Sequence, residues 1–360
     1  MTETLRATDI WDDYRPTPLI ELPRLAGLTN VGRVFVKAEG DRSLGSFKML
    51  GGMVAGLRAL ARAAGVATVQ DLGSTRICRA SLPRLICASD GNHGLAVAAA
   101  ASRAGAAASI YLPVSVSRPR ADRIEACGGE IVWISGTYDD AVSAAAQAAA
   151  RGAGLLIPDT STDPNDEVVK DVMAGYAFLS EELVCQFRDD VADRPGHVFV
   201  QAGVGGLAAA MAEGLRTFMQ EPRRLLTVEP QSAACVAQAL AAGHPVRLSG
   251  DLHTSAEMLS CGLASAPALA VLKRHHARSV VVREDQLQAA VAALREAGGP
   301  DTTPSGAAGL AGLLHVASQP ELRVEHQLGP DSKVLLVATE GPVSDGGPIQ
   351  AGLRREGGRE

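Results

Sequence analysis

The sequence predicts an α/β protein of two domains, each a mostly parallel, twisted sheet flanked by helices. Three observations carry that reading: a length of 360 residues, apolar β-branched runs alternating with alanine-rich stretches of helical period, and the number of those runs. A chain this long exceeds one small core, so it divides into domains or builds one large α/β unit with room for a pocket. Nine runs read as buried strands, at 33–40, 84–89, 108–114, 130–135, 154–160, 197–203, 224–230, 279–284 and 333–341. Most precede a helical stretch such as NHGLAVAAAASRAG or LAAAMAEGLRTFM. That alternation implies parallel strands covered on both faces. Nine strands exceed one sheet of usual size, which suggests two. Polar, turn-rich connectors at 74–84 and 158–168 mark weak boundaries.

Composition excludes several classes of function. Lys and Arg number 34 against 40 Asp and Glu, a net charge of −6 with no basic stripe, so nucleic acid is not an expected partner. The alanine-rich stretches at 95–109 and 141–150 are short and broken by polar residues, as in soluble helices rather than membrane spans. The N-terminal MTETLRATDIWDDYR lacks the apolar core of a secretory signal, and a cytoplasmic location is expected. Cysteines 78, 87, 127, 185, 235 and 261 are scattered without C-x-x-C pairs, which predicts buried free thiols and no metal site. The closing GLRREGGRE, 352–360, reads as a frayed tail.

In open α/β sheets the loops leaving the carboxyl ends of strands line the ligand crevice. Four constellations sit there. QAGVGGLAAA, 201–210, follows a strand and opens a helix, so its backbone N–H groups converge on an anion with the positive helix end behind them. The same run also fits G-x-G-x-x-A through Gly203, Gly205 and Ala208, with Glu229 ending the next strand where a ribose-binding acid would stand. ASDGNHG, 88–94, offers Ser89, Asp90 and Asn92 as helix caps, yet holds more polar side chains than one cap requires. An Asn92 amide both donates and accepts, whereas His93 alone is better explained by packing. TTPSGAAGLAGLL, 302–314, places Pro304 at a helix start with Ser305 as its N-terminal hydroxyl, by itself an N-cap. GSFKMLGG, 45–52, sets Lys48 between Phe47 and Met49 at the head of an apolar, glycine-flanked helix, where a lysine that merely reaches for solvent is the plain alternative.

A dinucleotide would use the glycine run and Glu229 but leave Lys48 and the DGNHG segment idle. Pyridoxal 5'-phosphate uses every part. Its aldehyde needs a lysine, its phosphate a glycine loop, its 3'-oxygen a hydrogen-bonding partner and its ring nitrogen a neutral hydroxyl or an acid. Lys48, the run Gly203, Val204, Gly205, Gly206 and Leu207, Asn92 and Ser305 supply these in turn. The glycines and Ser46 would let the cofactor approach the helix start, with Phe47 and Met49 holding the amine in a partly desolvated crevice.

Together PTPLIELP at 16–23, SFK at 46–48, DGNHG at 90–94, GVGGL at 203–207, PSGAAG at 304–309 and ATEG at 338–341 resemble the fold-type II, tryptophan-synthase-β-like family of pyridoxal phosphate enzymes. The resemblance runs over nearly the whole chain. It implies a large cofactor-binding domain, 1–50 and 156–360, and a small mobile domain, 51–155, whose DGNHG edge closes over substrate. It also implies Lys48 as the cofactor-bearing lysine, Asn92 at the 3'-oxygen, Gly203 to Leu207 at the phosphate and Ser305 at the ring nitrogen. Ser46, Ser89, Asp90 and His93 fall where substrate would lie.

Within the family the sequence is most similar to the diaminopropionate ammonia-lyase subfamily. Asp90 stands where threonine and serine dehydratases show a small residue. TYDDAV at 137–142, PDT at 158–160, GY at 175–176, VEP at 228–230 and MLSCGLASAPA at 258–268 add to the likeness. There the acids matching Asp90 and Asp159 serve as acid/base groups for the two substrate enantiomers. Pro304 where that subfamily has Glu, the altered loop before SFK and the shorter chain are departures that bear on the substrate rather than the cofactor. Asp159 also reads as a turn or cap residue. The resemblance implies α,β-elimination on a small β-substituted amino acid, 2,3-diaminopropionate to pyruvate and ammonia, by a homodimer. A threonine or serine dehydratase, a β-replacing synthase and a cofactor-binding homologue without turnover share the same cofactor residues. A nicotinamide oxidoreductase is the rival from another class.

Overall fold

The computed structural model describes residues 6–74, 78, 81–89, 91–187 and 191–342, so that Asp90 and the stretch 352–360 lie outside the described residues. Its strands are β1 (Leu19–Glu21), β2 (Arg33–Ala38), β3 (Leu85–Ala88), β4 (Ala108–Pro113), β5 (Gly129–Ile134), β6 (Leu155–Leu156), β7 (His197–Gln201), β8 (Arg224–Pro230), β9 (Arg278–Val282) and β10 (Lys333–Ala338). They form a six-stranded sheet in the order β1-β2-β10-β7-β8-β9 and a four-stranded sheet in the order β5-β4-β3-β6. The pairings are parallel apart from β1 on β2, which is antiparallel.

The chain divides into two compact units. The larger holds Pro16–Phe47 and Asp159–Pro342 with the six-stranded sheet. Its inner strands are near-continuous apolar runs because helices cover both faces. Phe199, Val228, Val334 and Leu336 pack there against Leu310 and Leu313 of the helix Pro304–Ala317. The smaller holds residues 48–158 with the four-stranded sheet, and residues 6–15 cluster with it. Residues 1–50 were expected in the larger domain. The segment 6–15 instead buries Ile10 and Trp11, and Asp12 takes both guanidinium nitrogens of Arg103 at 2.9 and 3.0 Å.

Two helices of the smaller unit meet with almost no space between them. A Cβ on Gly52 of the helix Lys48–Ala64 would lie 2.5 Å from Ala96 Cβ of the helix Asn92–Ala104, and one on Gly56 would lie 2.7 Å from Ala100 Cβ. The offset in sequence is the same at both contacts, so the helices run side by side in one direction. One turn further back, the same offset brings Lys48 level with Asn92. Gly52 therefore serves helix packing rather than approach of a cofactor, and Gly45, at φ 75, serves a turn.

Other expectations shift in detail. β1 was not foreseen, because a three-residue edge strand in a proline-flanked segment has too little alternation to read. Of the run 154–160 only Leu155 and Leu156 pair, alongside Leu85 and Ile86. The connector at 74–84 is no boundary, since residues 48–158 form one unit, whereas the turn-rich 158–168 begins where the units divide. None of the six cysteines forms a disulfide, but only Cys87, Cys127 and Cys235 are buried. Cys185 is exposed because it lies on the outer face of the helix Glu167–Gln186, between the buried Leu183 and Phe187.

Candidate active site

The glycine run leaves β7 and turns into the helix Gly206–Leu215. Gly205 adopts φ 96, which a residue with a side chain rarely takes, and so makes the turn. Gly203 is fixed by packing, since a Cβ there would meet Cys261 Sγ at 3.0 Å and the Met258 carbonyl oxygen at 3.2 Å. Turn and packing thus account for two glycines without any ligand. They do not account for Gly206, whose nearest neighbour across an added Cβ is Tyr176 at an ordinary 3.5 Å. Nor do they account for the backbone donors. Among the described residues, no N–H from Gly203 to Leu207 finds a protein acceptor, and Gly203, Val204 and Gly206 are half-exposed. A row of open N–H groups at a helix N-terminus is a site for an anion.

Three tethers join this loop to neighbouring segments. The Gly203 carbonyl accepts from Cys235 Sγ at 3.3 Å, and burial pushes that thiol's pKa upward, so it stays protonated. The Ser265 N–H donates to the Val204 carbonyl at 3.0 Å, and the next N–H, of Ala266, donates to Ser161 at 2.8 Å. The half-buried bend at Asp159 lies two residues before Ser161, so this acid belongs to the segment tied to the loop.

Taken by itself Ser305 reads as the cap of its helix. Thr303 is the cap instead, its Oγ1 accepting from the Gly306 N–H at 3.1 Å, because Pro304 takes the first helical position and moves the cap back by one. Ser305 is buried, and its Oγ accepts from the Met258 N–H at 3.1 Å. That contact uses a lone pair and leaves the hydroxyl proton to donate, as a neutral ring nitrogen would require. Gln201 holds the backbone here, its Nε2 donating to the carbonyls of Gly306 at 2.9 Å and Val337 at 3.0 Å.

The segment before Lys48 is bound to the end of β10. Ser46, buried, bridges Glu340, and the Phe47 N–H donates to the Thr339 carbonyl at 3.1 Å. The Phe47 ring packs on Tyr176 at 4.9 Å, the same tyrosine that faces Gly206. Lys48 follows at once as the first residue of its helix, half-buried.

In the smaller unit Ser89 does the capping expected of the DGNHG segment. Its buried Oγ accepts from the N–H groups of Gly91 at 2.9 Å and Gly94 at 2.8 Å. His93 is buried with Nε2 2.9 Å from the Ile157 carbonyl oxygen. Asn92 opens the helix, half-buried and level with Lys48. The larger unit thus carries the glycine loop, Ser46, Ser305 and Asp159, and the smaller carries Lys48, Ser89, Asn92 and His93.

Glu229 separates the two cofactor readings. It is fully buried, its Oε1 accepting from the Val236 N–H at 2.7 Å and its Oε2 from the Ala237 N–H at 2.8 Å and the Ser279 hydroxyl at 3.1 Å. Burial pushes its pKa up to about 8 against the pull of those donors. Fully buried, with both oxygens turned to donors at the start of the helix Cys235–Ala242 and on β9, this acid presents no exposed oxygen to a ribose.

The sequence profile of a family described as "pyridoxal-phosphate dependent enzyme" matches residues 10–340. The chain belongs to that family. It is 32% identical over 340 residues to diaminopropionate ammonia-lyase of Escherichia coli K12, covering 91% of this chain and 85% of that one. It is also 30% identical over 312 residues to a biosynthetic L-threonine dehydratase of Haemophilus influenzae, covering 86% of this chain and 54% of that one. The crystal structure of E. coli diaminopropionate ammonia lyase in complex with an aminoacrylate-PLP azomethine reaction intermediate aligns at a TM-score of 0.81 and 30% identity, over 92% of this chain and 86% of that one.

The residues of this member fit pyridoxal phosphate. The open N–H row suits a phosphate, the spare Ser305 proton a neutral ring nitrogen, and the bare Gly206 a close approach. Among the described residues no cluster of His, Cys, Asp or Glu could hold a metal, and no helix is long and apolar enough to cross a membrane. Sequence reasoning missed Met258 and Tyr176 as supports. The only signal for them was the MLSCGLASAPA and GY segments, which had no role until the fold placed them.

Proposed function

We propose that this protein is a pyridoxal-phosphate-dependent ammonia-lyase that converts 2,3-diaminopropionate to pyruvate and ammonia. The observation that carries the substrate is the similarity to diaminopropionate ammonia-lyase over 91% of the chain. When bound, pyridoxal phosphate supplies an electron sink for the α-carbon of an amino acid. The loop Gly203, Val204, Gly205, Gly206 and Leu207 binds the phosphate through backbone N–H groups and the positive end of its helix. The Ser305 hydroxyl would donate a hydrogen bond to the ring nitrogen and leave it unprotonated, which favours prompt elimination over side reactions. Asn92 holds the 3'-oxygen. The Lys48 amine would hold the cofactor at its aldehyde carbon until the substrate amine takes that place, and the freed amine would then move the α-proton. Asp90 and Asp159 hold the second ammonium of the diamine and shuttle its proton. Ser46, Ser89 and His93 support the substrate from their segments, and the unit 51–155 is the mobile one. Free cysteines suit a reducing cytoplasm, and a homodimer is the commonest assembly.

The test is pyruvate formation from both enantiomers of 2,3-diaminopropionate, from serine and from threonine. A kcat/KM highest on diaminopropionate supports the proposal. The threonine dehydratase relative favours a second reading, and higher kcat/KM on threonine or serine would put it first.

A further inference from the structure

A second cluster of charge lies inside the larger unit, and none of the proposed chemistry uses it. Lys37 at the end of β2, Glu39 and Arg42 in the following loop, and Glu182 on the helix Glu167–Gln186 are all buried. Lys37 Nζ donates to the Thr17 carbonyl at 2.7 Å and to Gln186 Oε1 at 2.9 Å, and pairs with Glu182 Oε2 at 2.5 Å. The three contacts use all three ammonium protons. Arg42 Nε and Nη2 grip Glu39 at 2.8 and 2.5 Å, while Nη1 and Nη2 reach Glu182 at 2.8 and 3.1 Å. Thr17 Oγ1 donates to Glu39 at 2.5 Å. The two cations and two anions balance.

Such a network is weak evidence for stability, since well-packed apolar residues in its place are often as stable or more so. What it gives is one geometry, because a guanidinium forked between two carboxylates has few alternative arrangements. Its position says which geometry. Arg42 sits six residues before Lys48, and its carbonyl accepts from the Gly45 N–H at 2.6 Å. The Gly45 carbonyl accepts from the Gly341 N–H, and Ser46 and Phe47 are then fastened to the end of β10. The helix bearing Glu182 also bears Tyr176, which packs on Phe47 and faces Gly206.

We propose that Glu39, Arg42 and Glu182 are positioning residues for Lys48: their buried network fixes the loop Glu39–Phe47 so that the lysine amine is held ready for the cofactor's aldehyde. The proposal rests on Lys48 being the cofactor-bearing lysine. Because the network acts on the lysine and not on the phosphate, its loss separates two affinities. Pyridoxal phosphate reads the glycine loop and Lys48 together, whereas pyridoxine 5'-phosphate, which has no aldehyde, reads the loop and ring contacts alone.

The experiment uses the double variant Glu39→Gln/Arg42→Met, which removes one charge of each sign and leaves the Lys37–Glu182 pair balanced. The thermal midpoint is recorded alongside the dissociation constants of both compounds from the full-length protein. The expected result is a loss of pyridoxal phosphate affinity of about tenfold or more, the order that misplacement of a reacting group produces, with pyridoxine 5'-phosphate within about twofold of wild type. Arg42→Lys keeps the charge and loses the fork, so it shows the same separation at smaller size and serves if the double variant does not fold. Equal losses for both compounds in a folded variant, or no loss for either, overturn the positioning role. A wild-type protein that binds pyridoxine 5'-phosphate and pyridoxal phosphate equally well overturns the role of Lys48 itself, a failure of the functional reading rather than of the network.

Discussion

Gly52 is the position where a single methyl group tests the link between packing and site. In Gly52→Ala the new Cβ would sit 2.5 Å from Ala96 Cβ, against 3.4–4 Å for ordinary contact. The helices Lys48–Ala64 and Asn92–Ala104 must therefore part by about 1 Å, and overpacking of this kind costs about 1–3 kcal/mol. Against that stands the helix propensity of alanine over glycine, a gain of about 1 kcal/mol. The net expectation runs from neutral to about 2 kcal/mol destabilising. Gly27→Ala isolates the gain, because nothing lies within 4 Å of an added Cβ in the helix Pro23–Thr29. Urea denaturation should show Gly27→Ala at or above wild type and Gly52→Ala about 1–3 kcal/mol below Gly27→Ala, that is, level with wild type to about 2 kcal/mol below it. Since Lys48 and Asn92 head the two displaced helices, kcat of Gly52→Ala should also fall, toward the roughly hundredfold that a 1 Å misplacement can cost. Equal stability of the two variants together with unchanged turnover would refute the packing argument.

Two further substitutions probe the larger unit. Glu229, pushed up to about 8 by burial, binds its proton more tightly in the folded chain than in the unfolded one. The stability it contributes is therefore complete below the ordinary carboxylate range and is lost as pH rises through about 8. Glu229→Gln should flatten the urea midpoint between about pH 5 and about pH 8 and leave pyridoxal phosphate binding intact, whereas loss of pyridoxal phosphate binding would give Glu229 a part in the cofactor site. Gly205→Ala strains a residue at φ 96 and brings a Cβ within 3.3 Å of Val236. Affinity for pyridoxine 5'-phosphate should drop about tenfold, at a cost of about 1–2 kcal/mol in backbone strain, and an unchanged affinity would remove the loop from phosphate binding.

The fold class was legible because parallel strands buried on both faces leave long apolar runs, and each of the nine runs holds a strand. β1 escaped because three residues at a sheet edge carry no period. The glycine loop and Ser305 were legible as residue types at strand ends. The cap at Thr303 was not, since Pro304 at the first helical position moves it back by one residue. Lys37 lay within an apolar run, RVFVKA, where a charged residue facing the core is itself a signal. Its partner Glu182 is 145 residues away and could not be paired with it before the fold was known. The level placement of Lys48 and Asn92 follows from glycine and alanine contacts between two helices, which no single stretch of sequence reveals.

The central claim is that Lys48 carries the cofactor. The direct measurement is borohydride reduction of the protein loaded with pyridoxal phosphate, followed by digestion and mass mapping of the pyridoxyl label. Label is expected on Lys48 with loss of the yellow colour, and neither the label nor the colour in Lys48→Ala. A label on another lysine, or a protein that stays colourless with excess pyridoxal phosphate, would contradict it.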